Sequence, residues 1–168
     1  MSWHNFYFFI SMKKILFGRQ HVINYSFYGI LAAIFYSITV WLYLYDREFR
    51  HARLMYIGAG FFAFIIMLYL VKLVREDDSK TNAKGIVFAG HLAVISGIVV
   101  SVIVCLLLCF LYKQEAFNAS LGNQSSASLF DVFFPAILIN FFAGSFISFL
   151  IAYATKWNYL AKEKSVSL

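Results

Sequence analysis

Between Ile86 and Tyr112 there is no Asp, Glu, Lys or Arg, and His91 is the one strongly polar side chain. About 20 apolar residues of helix cross the hydrocarbon core of a bilayer, so this run is long enough to span one. Charge is scarce elsewhere too: 13% of the 168 residues are charged, where a typical soluble domain carries about 25%. At 62% hydrophobic, the chain lacks the polar surface that keeps a soluble fold dispersed. Proline is confined to Pro135, which leaves long helices nearly uninterrupted.

Other absences remove whole classes of chemistry. The two cysteines, Cys105 and Cys109, lie in one apolar run, where they say nothing about redox compartment. Spacing of i and i+4 on a straight helix does not give the Cβ separation of about 3.5–4.5 Å that a disulfide needs. A metal centre would need further ligands. There is no P-loop, no dinucleotide glycine fingerprint and no metalloprotease His pair. No long apolar run carries a carboxylate, Lys or Arg near its centre, which counts against a proton relay or cation path through one chain. The expectation is a protein with no enzymatic activity and no cofactor.

What is present is helical periodicity. Small residues recur every fourth position at Ala89, Ala93, Gly97, Ser101, Cys105 and Cys109. Small residues at that spacing let a second backbone come close, which holds helices together in lipid. Gly29, Ala33 and Ser37 repeat the pattern in a first run, and Gly144, Ser148 and Ala152 in a last one. Gly58, Ala59, Gly60 and Ala63 lie near the start of the second. The spacing predicts spans over about 22–45, 54–74, 86–112 and 132–154. Residues 1–20 read as an interfacial segment with aromatic rings at headgroup level, with Met12 as an alternative natural start, and 155–168 as a cytoplasmic tail. The connections are short, apart from a Ser-, Asn- and Gln-rich one at 113–130, after which Ser128 and Asp131 are plausible N-caps and Pro135 falls in a first turn. The expected fold is all-α: one integral membrane domain over 1–168, an antiparallel bundle of four transmembrane helices.

Orientation follows from basic residues. Lys13, Lys14, Arg19, Lys72, Arg75, Lys80, Lys84, Lys156, Lys162 and Lys164 fall on one side, and Arg47, Arg50, Arg53 and Lys113 on the other. The richer side faces the cytoplasm, so both termini should be cytoplasmic. A formal charge of +6 in a soluble protein would invite a nucleic-acid surface. Here the basic residues flank apolar runs, so the expected contact is lipid headgroups and not nucleic acid.

Few side chains carry chemistry. His21 and His91 can be read as axial haem ligands or a proton switch; the plainer reading is interfacial histidines bonded to a carbonyl or water. Asn140 within the last span needs a partner, and such amide contacts add roughly 0.5–2 kcal/mol of helix association. Ser96, Ser101, Ser145 and Ser148 can bond back to carbonyls of their own helices, and none has the His or Asp partner of a nucleophile. Asn118-Ala119-Ser120 and Asn123-Gln124-Ser125 match the glycosylation pattern on the expected outer loop.

From the second run to the third, the chain has Tyr69-Leu70-Val71-Lys72, Arg75-Glu76-Asp77-Asp78 and Lys84-Gly85-Ile86-Val87-Phe88. With these it resembles a family of small bacterial four-helix inner-membrane proteins known only as a domain of unknown function. The resemblance implies an inner-membrane protein without an assigned reaction and transfers no functional residue. The leading expectation is a non-catalytic membrane subunit that packs against a larger membrane complex or against copies of itself, because four small-residue strips exceed what a minimal bundle uses internally. The alternative is a small transporter or channel whose path lies between subunits.

Overall fold

A computed structural model describes residues 19–45, 53–76, 83–120 and 134–166. These residues form helices α1 (Arg19–Tyr45), α2 (Arg53–Glu76), α3 (Ala83–Ser120) and α4 (Asn140–Val166), the last led in by a π turn over Pro135–Ile139. Each helix is long and apolar enough to cross a membrane, over Gln20–Tyr45, Arg53–Glu76, Ala83–Leu111 and Ala136–Trp157. The helical choice follows from the sequence: runs this apolar must satisfy their backbone N–H and C=O groups within the segment.

Two helices run on past the ends of their apolar spans, which close at Leu111 and Trp157. α3 continues beyond its span to Ser120, so the expected connection at 113–130 begins as helix and Asn118 of the first glycosylation pattern lies in its last turn. Lys113, Gln114, Glu115 and Ala116 are good helix formers; polarity there ends the apolar span without ending the helix. In the same way α4 runs through Lys156 and Lys162 to Val166, so most of the expected tail is helical. The third change is a turn type. Pro135 does sit at the first turn, but that turn is π-helical and passes into regular α-helix at Asn140. The expected N-caps Ser128 and Asp131, the interfacial segment up to Gly18 and the second glycosylation pattern lie outside the described residues.

Contacts set which helices are neighbours. α1 packs on α2 and on α3, and α4 packs on the same two, so α1 and α4 occupy opposite corners. Along α1 and α2 the facing pairs are Tyr28 with Tyr69, ring centroids 5.4 Å apart, and Phe35 with Phe61 at 6.1 Å. Residue numbers therefore fall along α2 as they rise along α1. Gly90 faces Ser148, and Val94 faces Gly144, with the same relation between α3 and α4.

The side chains sort by size. Ala32, Ala33, Ala93, Cys105 and Ala136 are fully buried, while Phe27, Phe64, Phe110, Leu111, Phe142, Phe146 and Phe149 are exposed. A soluble protein places its large apolar groups inside and its charges outside. Here bulk points outward, and the interior is a seam of slim residues filled by a few large ones, Tyr36, Phe62, Ile66, Leu70 and Ile86. At the α1-start and α2-end side, Lys72 carries its stem along the bundle. Its Nζ lies 5.7 Å from the Tyr28 ring centroid and 3.8 Å from a Glu76 carboxylate oxygen, keeping the charge at the end of the span.

Candidate functional site

The residues singled out for helix packing all turn inward. Gly29, Ala33, Ser37, Ala89, Ala93, Gly97, Ser101, Cys105, Asn140, Gly144, Ser148 and Ala152 are each buried. They sit between helices of this one chain. These strips are used inside the chain; in the second run Gly58 and Ala59 are buried while Gly60 is exposed, and the outward faces are otherwise rich in Phe, Ile, Leu and Tyr.

α1 and α3 cross backbone to backbone. A Cβ built on Gly29 would fall on Ser96 Oγ, and would lie 2.7 Å from the Ala93 carbonyl oxygen and 2.9 Å from the Gly97 nitrogen. A Cβ on Gly97 would lie 3.0 Å from the Gly29 carbonyl oxygen and 2.8 Å from the edge of the Phe62 ring. Two glycines facing one another bring backbone onto backbone, which no larger pair permits. A second close approach puts Gly58 of α2 under Thr39 and Tyr36 of α1, and a third puts Gly90 under Ser148 and Gly144 under Val94. Gly60, two residues and about half a turn on from Gly58, has open space around its missing Cβ.

Asn140 does its bonding locally. Its side-chain Nδ2 donates to the Ala136 carbonyl at 3.0 Å, and its backbone N–H donates to the Ile137 carbonyl. The side-chain amide thus takes the acceptor that a backbone N–H four residues on would use in a regular helix. That exchange lets the wide π turn close into α4, and its bond is not the contact across helices expected from the sequence. Asn140 Oδ1 is left buried without a protein partner.

The hydroxyls divide in two. Thr39 donates to the Tyr36 carbonyl at 2.7 Å, Ser148 to that of Gly144 at 2.8 Å and Thr155 to that of Ile151 at 2.8 Å. Such back-bonding is the usual way a hydroxyl is satisfied in an apolar helix. Ser37, Ser96, Ser101 and Ser145, together with the Tyr36 hydroxyl, are buried and make no such bond. A buried unsatisfied polar group costs about 1–3 kcal/mol. A serine can recover this by turning to its own carbonyl. Asn140 Oδ1, an acceptor only, and the Tyr36 hydroxyl, far out on its ring, have no such local remedy.

His91 is half-buried and donates from Nδ1 to the Val87 carbonyl at 2.7 Å, which places the neutral ring's acceptor at Nε2. Its ring stands edge-on to Phe141 and Phe149 of α4, with centroids 6.1 and 5.8 Å apart. The imidazole is therefore on the α4 side of α3, and α1, which carries His21, packs on α3 through Gly29, Ala93 and Gly97. The structure does not bring these two histidines together over one face. Among the described residues, no three of His, Cys, Asp and Glu gather into a set that could hold a metal ion.

Cys105 and Cys109 are buried thiols and form no disulfide. In the folded protein both should react with a water-soluble maleimide slower by about 100-fold or more than after unfolding in SDS, because reaction requires opening of the helices around them. Fast labelling of Cys105 in the folded protein, followed by mass spectrometry, would show an interior open to water.

Sequence reasoning missed two features. The π turn has only Pro135 and Asn140 as marks, and neither by itself signals a wide turn. Phe62, which seals the α1–α3 crossing from α2, is one of several phenylalanines in its run and nothing in its spacing sets it apart. No protein-family model matches this chain, and neither a curated protein nor a solved structure matches it.

Proposed function

We propose that the chain is an integral membrane subunit without catalytic activity, an antiparallel bundle of four transmembrane helices that associates with a larger membrane complex or with copies of itself. What supports the reading is the way the interior is filled. Tyr36, Phe62, Ile66, Leu70 and Ile86 have no exposed surface and close the space between the helices, while the large residues that remain outside are apolar over the full length of the spans. The opposed numbering of the facing pairs on α1 and α2, and on α3 and α4, supports the antiparallel arrangement. The basic residues favour cytoplasmic termini, and the resemblance noted in the sequence favours a bacterial inner membrane.

Association rests on the outward faces and not on the small-residue strips, which are used internally. α3 is the most apolar of the four spans and the least buried. Ile95, Val99, Ile103, Leu106 and Phe110 form a continuous outward ridge along it. Purification in a mild detergent from native membrane tests the proposal. The expected result is a particle larger than one chain plus its detergent, holding a second protein or a second copy. A stable monomer with nothing bound would remove it. A path for solutes within the chain is disfavoured by the same filled interior, and rapid labelling of Cys105 would revive it.

A further inference from the structure

Two of the buried polar atoms without a protein partner lie on facing helices at nearly the same height. Val94 of α3 faces Gly144 of α4. Ser101 is seven residues on from Val94, close to two full turns, and so shares its face; Asn140 is about one turn before Gly144 and shares that one. At about 1.5 Å of rise per residue, the heights of Ser101 and Asn140 differ by about 4–5 Å. Both side chains are fully buried. Asn140 Oδ1 and Ser101 Oγ each lack a hydrogen-bond partner, so they do not bond one another.

The chemistry of the pair limits what can join them. Asn140 gives one Nδ2 hydrogen to the Ala136 carbonyl, and the atom it leaves without a partner, Oδ1, is an acceptor only. An anion is repelled by that oxygen. A cation would need a carboxylate to offset its desolvation, and none lies in the described helices between Arg19 and Tyr45, Arg53 and Val74, Ala83 and Leu111 or Ala136 and Trp157. A small neutral donor that can also accept from a hydroxyl remains. We infer that a water molecule is held between Asn140 Oδ1 and Ser101 Oγ, donating to the first and accepting from or donating to the second, as a polar bridge between α3 and α4 inside the span. The inference does not depend on which complex the subunit joins.

Water-edited solid-state NMR tests it on the full chain, labelled with 15N-asparagine and held in deuterated-lipid vesicles. The Asn140 Nδ2 protons are a short distance from any water on Oδ1. Magnetisation transfer from water to that signal is expected in the wild type, and loss of the transfer in Ser101→Ala. Asn140→Leu identifies the signal by its disappearance, and Asn140→Gln, which equally carries no label at 140, serves if the leucine variant does not fold. No transfer in the wild type overturns the site, whether the amide then contacts lipid or Ser101 directly. Undiminished transfer in folded Ser101→Ala overturns the bridge.

Discussion

Gly29→Leu is expected to abolish folding of this chain, and Gly29→Ala to weaken it severely. The first added carbon already falls on Ser96 Oγ and within 2.7 Å of the Ala93 carbonyl oxygen. A serine hydroxyl can turn away; a helix carbonyl cannot. The whole of α1 would have to move off α3, which is the pairing at the Gly29–Gly97 crossing. Overpacking a tight interior usually costs about 1–3 kcal/mol where side chains can shift. Here the obstacle is backbone, so Gly29→Ala should reach the upper end of that range and leucine should exceed it. Gly60→Ala is the matched control, on the next helix with nothing near its Cβ. It should be neutral or stabilising by up to about 1 kcal/mol, from helix propensity alone. Reversible unfolding in mixed SDS and mild detergent measures both. Wild-type stability in Gly29→Ala would mean that the α1–α3 crossing is looser than the structure has it.

That contrast also shows what the sequence can and cannot disclose. The glycines at 29, 97 and 144 were legible because a helix that approaches another at one point repeats the need every turn, and a period of four small residues is visible in a list of letters. Gly58 and Gly60 look alike in the sequence, yet one lies under Thr39 and Tyr36 and the other faces open space. Which neighbour each face meets depends on the cyclic order of the helices, and α1 beside α3 with α4 at the far corner leaves no local trace. Helix ends differ from span ends for a related reason. Apolar content marks where a span meets water, whereas the helix of Lys113 to Ser120 continues on propensity that composition read as loop. Asn140 was recognised as costly in lipid. Its actual bond, back to Ala136 within a π turn, depends on a backbone detail that no spacing encodes.

The interior contact with most to lose is Phe62. Its ring has no exposed surface, and its edge lies against the space where a Gly97 side chain would begin. Removing a buried Phe from a soluble core costs about 3–5 kcal/mol, as a transfer part plus a cavity part. In a bilayer much of the transfer part disappears, since lipid is as apolar as the core and a separated helix keeps its ring in it. The cavity part and the lost dispersion contacts remain, so Phe62→Ala should cost on the order of 2 kcal/mol. Leu107→Ala, on an outward face 59% exposed, should cost nothing measurable, because lipid fills the gap as it forms. The two glycine-side changes then separate ring from backbone. Gly97→Ala conflicts with Phe62 at 2.8 Å and with the Gly29 carbonyl oxygen at 3.0 Å. In a Phe62→Leu background the first conflict is relieved, so the double variant should be more stable than the sum of the single losses by about 1 kcal/mol or more, within the range seen for residues in contact. Additive losses would show that the glycine is required by the α1 backbone alone. An equal cost for Phe62→Ala and Leu107→Ala would show that the ring does not seal this crossing at all.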